Sequence, residues 1–213
     1  KWDFAQIQLN YLDWQNQDAK SQYELIEKAG IPCIVMEPIR GGALATLPKE
    51  AASILGAADK TASMASWAMR YVGSLPHGLT VLSGMSDLRQ VKDNVATMTD
   101  FKPLTGEEYA LIEQAAEAYR KAGTVPCTGC RYCMDCPVGV DIPGVFVAYN
   151  DYSKTKDPFT FEREYGFLSD GQKADKCIAC GMCVPKCPQG IDIPANMSEI
   201  ASLAGLLQGD ITY

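Results

Sequence analysis

Four cysteines stand within ten residues in CTGCRYCMDCP, residues 127–137, and four more in CIACGMCVPKCP, residues 177–188. Each run contains Cys-x-x-Cys-x-x-Cys, then Cys-Pro, then Gly-[Val/Ile]-Asp-Ile-Pro. The two are an internal repeat, differing by one residue before the last cysteine: two in the first run, three in the second. Thiolates at this density read as metal ligands in a reducing compartment. A secreted disulfide framework spreads its cysteines to close loops of useful size instead. Of the nine cysteines only Cys33, inside IPCIVM, stands apart, and it reads as a buried, inert thiol. Zinc also binds four-cysteine sites, usually through separated Cys-x-x-Cys pairs.

Residues 127–190 resemble the dicluster ferredoxin family. That resemblance implies two [4Fe–4S] clusters, each held by three cysteines of one motif and, from the other motif, the cysteine before proline. One cluster takes Cys127, Cys130, Cys133 and Cys187; the other takes Cys177, Cys180, Cys183 and Cys136. The two-residue spacing before Cys136 departs from the usual three. Small residues at Gly129, Ala179 and Gly181 are expected to let the chain approach a cluster closely. Arg131, Lys176 and Lys186 stand beside ligands, where positive charge would raise reduction potentials. About forty residues of helical character separate the motifs, which points to the α-helical ferredoxin type.

The first hundred residues must form a different kind of unit. FAQIQLNY alternates, placing Gln6, Gln8 and Asn10 on one face and Ala5, Ile7 and Leu9 on the other. Residues 18–29 read as a helix closed by Gly30, with Pro32 beyond. IPCIVMEP and LTVLSGM read as further strands, and 49–55, 61–72 and 86–98 as helices. Ser86 is the expected cap of the last, with Asp87 in its first turn. Residues 104–122 form another helix, with Gly123 and Pro126 marking the boundary. Val145 to Tyr152 and Pro194 to Leu207 follow as helices of the cysteine domain. Repeated strand–helix units imply a parallel sheet. Three such units are part of a sheet or barrel, since a closed eight-stranded barrel takes about 250 residues.

FAQIQLNYLDW, IVMEPIRGGAL and VLSGMSDLRQVKDNV, in this order, resemble the last three strand–helix units of an aldo/keto reductase barrel. With the cysteine motifs added, the chain is similar to the C-terminal part of ferredoxin-fused aldo/keto reductases. The implied fold is α/β: the C-terminal part of a (β/α)8 TIM barrel over residues 1–122, then an α-helical dicluster ferredoxin domain over 123–213. The resemblance implies an NAD or NADP cofactor. Gln6 would hold the nicotinamide carboxamide, while Gln8 reads as a satisfied barrel amide. Met36 falls where many relatives stack an aromatic ring on nicotinamide. Ile39, Arg40, Gly41 and Gly42 match the loop over the pyrophosphate, with Arg40 pairing phosphate. Ser83, Gly84, Met85, Gln90 and Asn94 match the adenosine side, where the helix start would offer free amides to phosphate. Many relatives carry a basic residue near Gly84 for the 2′-phosphate; here Arg89 is the nearby substitute, and NAD and NADP both stay open.

The family's catalytic Asp, Tyr, Lys and His would lie before residue 1, so no catalytic residue is assigned. His77 reads as a loop residue. The chain lacks an initiator methionine and begins inside a patterned segment, which reads as a missing N-terminal part.

A net charge of −7 with scattered basic residues argues against nucleic acid. No apolar run approaches the roughly 20 residues a membrane span needs, and no signal peptide is visible. The expected location is cytoplasmic. The leading expectation is NAD(P)-linked redox chemistry on a small carbonyl or alcohol, with a fused two-cluster electron-transfer domain. Two alternatives stand beside it: an electron-transfer subunit docking on a partner redox protein, and a carbonyl reductase with structural clusters.

Overall fold

A computed structural model describes residues 2–209. Internal contacts divide the chain into two compact units, Lys1–Lys121 and Ala122–Tyr213. Among the described residues no helix is long and apolar enough to cross a membrane.

In the first unit, strands β1 (Ala5–Gln8), β2 (Cys33–Met36) and β3 (Gly78–Val81) form a parallel sheet in that order. Ala5 pairs with Cys33 and Gln8 with Met36, while the register slips between Cys33 and Ile34 against β3. Parallel pairing needs long crossovers. They are helices α1 (Asp13–Asn16) and α2 (Ala19–Ala29), then α3 (Lys49–Ala58) and α4 (Met64–Gly73). Helices α5 (Leu88–Thr99) and α6 (Gly106–Lys121) follow β3. The fold is therefore α/β with a partial parallel sheet. Its core joins Leu9, Val35, Leu44, Leu55, Trp67, Val72 and Ile112.

Local chemistry moves several boundaries from their expected places. The first strand ends at Gln8 because the Asn10 side chain turns the backbone: its Oδ1 accepts from the Leu12 and Asp13 amides. Helix α4 starts at Met64, not Thr61, because Asp59 Oδ1 takes the Thr61 and Ala62 amides. Ser63 then caps it, accepting from the Ser66 amide at 2.9 Å. The cap of α5 is Asp87 rather than Ser86: Oδ1 accepts from the Arg89 and Gln90 amides at 2.8 and 3.1 Å. Helix α6 opens on a reciprocal capping box, in which Thr105 Oγ1 accepts from the Glu108 amide and Glu108 Oε2 from the Thr105 amide. Glu108 also holds Arg70 of α4 at 2.7 and 2.8 Å, tying the two helices. Helix α2 ends as expected, with Gly30 left-handed at φ 63°.

The second unit contains α7 (Ile142–Thr155), α8 (Pro158–Gly166), α9 (Ile193–Gly209) and three short 3₁₀ turns. The repeated Asp-Ile-Pro is a helix start. Asp141 caps α7, accepting from the Gly144 amide, and Asp192 Oδ1 accepts from the Ala195 amide at the start of α9. A Cβ at Gly144 would lie 2.8 Å from Asp141 Oδ2 and 2.9 Å from a Leu168 methyl, so the cap requires glycine there. Helix α8, not anticipated from the sequence, follows the cap-and-proline pair Asp157-Pro158. The core of this unit gathers Val145, Phe146, Phe161, Ile193, Met197 and Ile200.

Candidate functional site

Each cysteine motif is a loop with left-handed residues at matched positions. Gly129 and Arg131 sit at φ 71° and 64°; their counterparts Ala179 and Gly181 sit at 52° and 74°. After Cys136-Pro and Cys187-Pro, Gly139 and Gly190 are left-handed as well, at 80° and 63°. Left-handed residues interspersed in a turn aim successive N–H groups into one concavity, which favours anions. The Gly129 amide donates to Cys127 Sγ at 3.4 Å, a contact of the kind that tunes iron–sulfur centres. Nothing lies within 4 Å of a Cβ built at Gly129 or Gly181. The left-handed backbone is by itself a reason for glycine at these two positions.

The thiols fall into two sets that cross between the motifs. Cys127, Cys130 and Cys133 share a cavity with Cys187. Cys177, Cys180 and Cys183 share another with Cys136, and Cys133 lines this one as well. Burial pushes the Cys133 thiol up to about 11, and Cys127, Cys130 and Cys187 add to the rise. Burial likewise raises Cys183, and Cys177, Cys180 and Cys136 add to the rise. Thiolates so placed repel one another, and bound positive charge is what would stabilise them. Two sets of four sulfurs on anion-favouring loops fit clusters better than a lone ion.

The one-residue difference between the motifs has a structural counterpart. In the second motif Val184–Lys186 forms a 3₁₀ turn before Cys187; the first motif, one residue shorter, has no such turn before Cys136. Across the gap Lys186 Nζ meets Asp135 Oδ2 at 2.6 Å, so an ion pair joins the residues just before Cys187 and Cys136. The expected offset of cluster charge by nearby cations is corrected here. Lys186 is paired with Asp135, Lys176 with Asp175 at 2.5 Å, and Arg131 with Asp141 at 3.5 Å. Each cation faces a carboxylate, so little net positive charge remains.

The second candidate region is a cleft of ≈ 500 Å³ at the C-terminal ends of β2 and β3, within the size range of small-molecule sites. Met36, Ile39, Arg40, Gly41, Gly42, Ser83, Gly84, Met85, Gln90 and Asn94 all line it. Residues far apart in sequence meet because parallel strands end side by side. Gln6 is exposed and does not line the cleft; its Nε2 donates to Met36 Sδ at 3.4 Å. Glu37, Ala65 and Asp93 line it too and were not anticipated. Asp93 was readable in principle, one residue before Asn94 on α5. Asn94 Nδ2 donates to Ser83 Oγ at 3.0 Å, and Ser63 Oγ donates to Asp93 Oδ2 at 2.6 Å. Glu37, Arg40, Gly41 and Gly42 are all left-handed, so the loop after β2 is a tight turn.

Two expectations for this cleft change. Arg40 does not present its charge to an incoming phosphate. It is 2% exposed, and its Nε donates to Asp13 Oδ1 at 2.9 Å. Asp13 Oδ2 also accepts from Gln8 Nε2 and Asn10 Nδ2, both at 2.7 Å, and Asn10 Nδ2 reaches the Glu37 carbonyl. Gln8 is thus a satisfied amide, as read from the sequence. At the start of α5, too, some amides are already taken. Asp87 occupies those of Arg89 and Gln90, and Gln90 Oε1 takes that of Ser86 at 2.7 Å. His77 lies at the opposite end of the sheet, just before β3, with Nε2 3.6 Å from Glu27.

A family model described as the aldo/keto reductase family matches residues 1–117, and one described as a 4Fe-4S dicluster domain matches residues 126–191. No curated protein and no solved structure matches the chain.

Proposed function

The chain belongs to the aldo/keto reductase family, and on that premise we propose that a nicotinamide dinucleotide occupies the cleft at the strand ends, while two [4Fe–4S] clusters lie in the cysteine unit. The protein is an oxidoreductase with an iron–sulfur electron-transfer domain. Nicotinamide supplies a hydride and clusters supply single electrons. In this reading Cys127, Cys130, Cys133 and Cys187 hold one cluster; Cys177, Cys180, Cys183 and Cys136 hold the other. The observation that carries it is the crossed grouping of the thiols in two separate cavities.

On the dinucleotide, Gln6 and Met36 serve the nicotinamide end, where the Gln6–Met36 contact fixes one side chain against the other. Ile39 to Gly42 cover the pyrophosphate through backbone rather than through the Arg40 charge, which Asp13 already balances. Ser83, Gly84, Met85, Gln90 and Asn94 take the adenosine half. A small carbonyl or alcohol is the substrate class. A separate redox protein is the electron partner. The loops offer it exposed Cys130 and Cys180, with Tyr132, Ile178 and Met182 also exposed.

Anaerobic purification followed by iron and acid-labile sulfide analysis tests the cluster assignment. About eight irons per chain are expected, with dithionite-reduced EPR signals from two centres. Four irons, or zinc, would sink it. Stoichiometric reduction of the clusters by added reduced dinucleotide supports coupling within one protein. Reduction only through an added partner protein supports a docking subunit instead. Carbonyl reduction left whole after Cys130→Ala and Cys180→Ala would assign the clusters a structural role.

A further inference from the structure

We propose that the first unit carries a binding site for a small organic cation, an alkylammonium group, in an aromatic pocket between α1, α4 and α6. The pocket is a cavity of ≈ 400 Å³, within the size range of small-molecule sites. Trp14 lines it from α1, Tyr11 from the turn just before α1, Tyr71 from α4 and Tyr109 from α6. Helix α6 also contributes Glu113 and Arg120.

The rings form one connected set. Tyr71, 7% exposed, stands at the centre of three edge-to-face contacts. Its ring centroid lies 6.0 Å from that of Tyr11, 6.1 Å from that of Trp14 and 5.8 Å from that of Tyr109, at interplanar angles of 78°, 83° and 70°. Phenol and indole faces are the negative part of the ring quadrupole, so such rings gathered on one cavity favour a positive group.

The charge at the pocket points the same way. Tyr109 and Glu113 are one turn apart on α6, on the face that lines the cavity. Burial pushes the Tyr71 hydroxyl up, and Tyr109 and Glu113 add to the rise, so the Glu113 carboxylate stands close enough to act on Tyr71. Among the described residues the Glu113 side chain forms no ion pair and no hydrogen bond. Its charge is therefore available to a ligand. Arg120, the cation of the lining, sits two turns further along α6, about 10 Å from Glu113 along the axis. It acts on Glu117, one turn back. A single carboxylate is too few ligands for a hard metal ion. An alkylammonium group suits the pocket better: its methyl groups bury against the rings while its charge faces Glu113.

Calorimetric titration of the anaerobically purified, cluster-loaded protein tests this with two probes. One is choline; the other is its neutral carbon isostere, in which a tert-butyl group replaces trimethylammonium. Choline is expected to bind roughly tenfold or more tighter than the isostere. Glu113→Gln should weaken choline roughly threefold or more and leave the isostere unmoved. Glu113 is exposed, so the urea unfolding transition of this variant should match that of the parent. Tyr109→Leu should weaken choline by a similar factor, and Tyr109→Phe, which keeps the π face, should restore most of the loss. Equal binding of the two probes overturns the inference, because the pocket would then select only for apolar shape. Choline affinity unmoved by both Glu113→Gln and Tyr109→Leu overturns it as well, and so does a failure of choline to bind.

Discussion

The cleft and the cysteine loops rest on different foundations. The unit bearing the cleft has a hydrophobic core of Leu9, Val35, Leu55, Trp67, Val72 and Ile112 that involves almost none of the cleft residues. In the other unit the site is part of the core. Cys133 is among its buried residues, and Cys127, Cys136, Cys177, Cys183 and Cys187 pack directly against it. Between the helices of that unit the chain runs as loops with 3₁₀ turns and left-handed residues, with few ladder hydrogen bonds of its own. One site is set on a scaffold; the other is much of its own scaffold. A scaffolded site can lose its ligand and stay folded, whereas binding free energy at a site within the core is also folding free energy.

That contrast is open to experiment. The largest effect is expected on stripping iron and sulfide. Residues 122–213 should lose their cooperative transition in calorimetry and become sensitive to limited proteolysis, while a fragment near residues 1–121 survives. Joint collapse of both units would end the distinction. Single ligand changes come next. Cys136→Ala should abolish the cluster of the second motif and Cys187→Ala that of the first, each lowering iron from about eight to about four per chain. If Cys136→Ala instead removes the EPR signal assigned to the Cys127, Cys130 and Cys133 set, the crossing is wrong.

In the scaffolded unit the costliest change should be Asp13→Ala, which strands the buried Arg40 charge and leaves Gln8 and Asn10 short of an acceptor. About 3–5 kcal/mol should be lost in urea unfolding of this unit, with iron content unaffected. Glu108→Gln should cost less, about 1–2 kcal/mol. The Arg70 guanidinium holds the Glu108 carboxyl below its ordinary value. Its folded value thus lies below the unfolded one, near 4.3. The stabilisation is complete above that pH and drains away as pH falls through the folded value, so Glu108→Gln should flatten the acid limb of the stability profile. The smallest effect is expected for Asp135→Asn. Its exposed pair with Lys186 is screened by solvent, and chemical denaturation of the cluster-loaded protein should not distinguish the variant from the parent.

Much of this architecture was legible because it is written in local pattern. Gly30 is a residue choice whose effect lies within a few positions of itself, and Ser63 is one readable in retrospect. The same local logic makes Asp157-Pro158 and Thr105-Gly-Glu-Glu108 readable in retrospect as helix starts. The misplaced cap of α5 is instructive. Ser86 and Asp87 are both good caps, and only the backbone shows that Asp87 is extended at φ −139° and reaches the amides. Arg40 is a harder case. Beside two glycines, an arginine reads as a phosphate ligand, and nothing local reveals that its partner is Asp13, twenty-seven residues away.

By itself the sequence determined the two ligand-rich motifs, their repeat, and most of the order of strands and helices, since spacing and period depend only on neighbours along the chain. The tertiary structure decided which thiols share a cavity, which charges are already balanced, and which amides at the start of α5 are taken. Those depend on distances between residues brought together by packing. A buried charge is settled by whatever reaches it first, and for Arg40 that is Asp13 of the turn after β1.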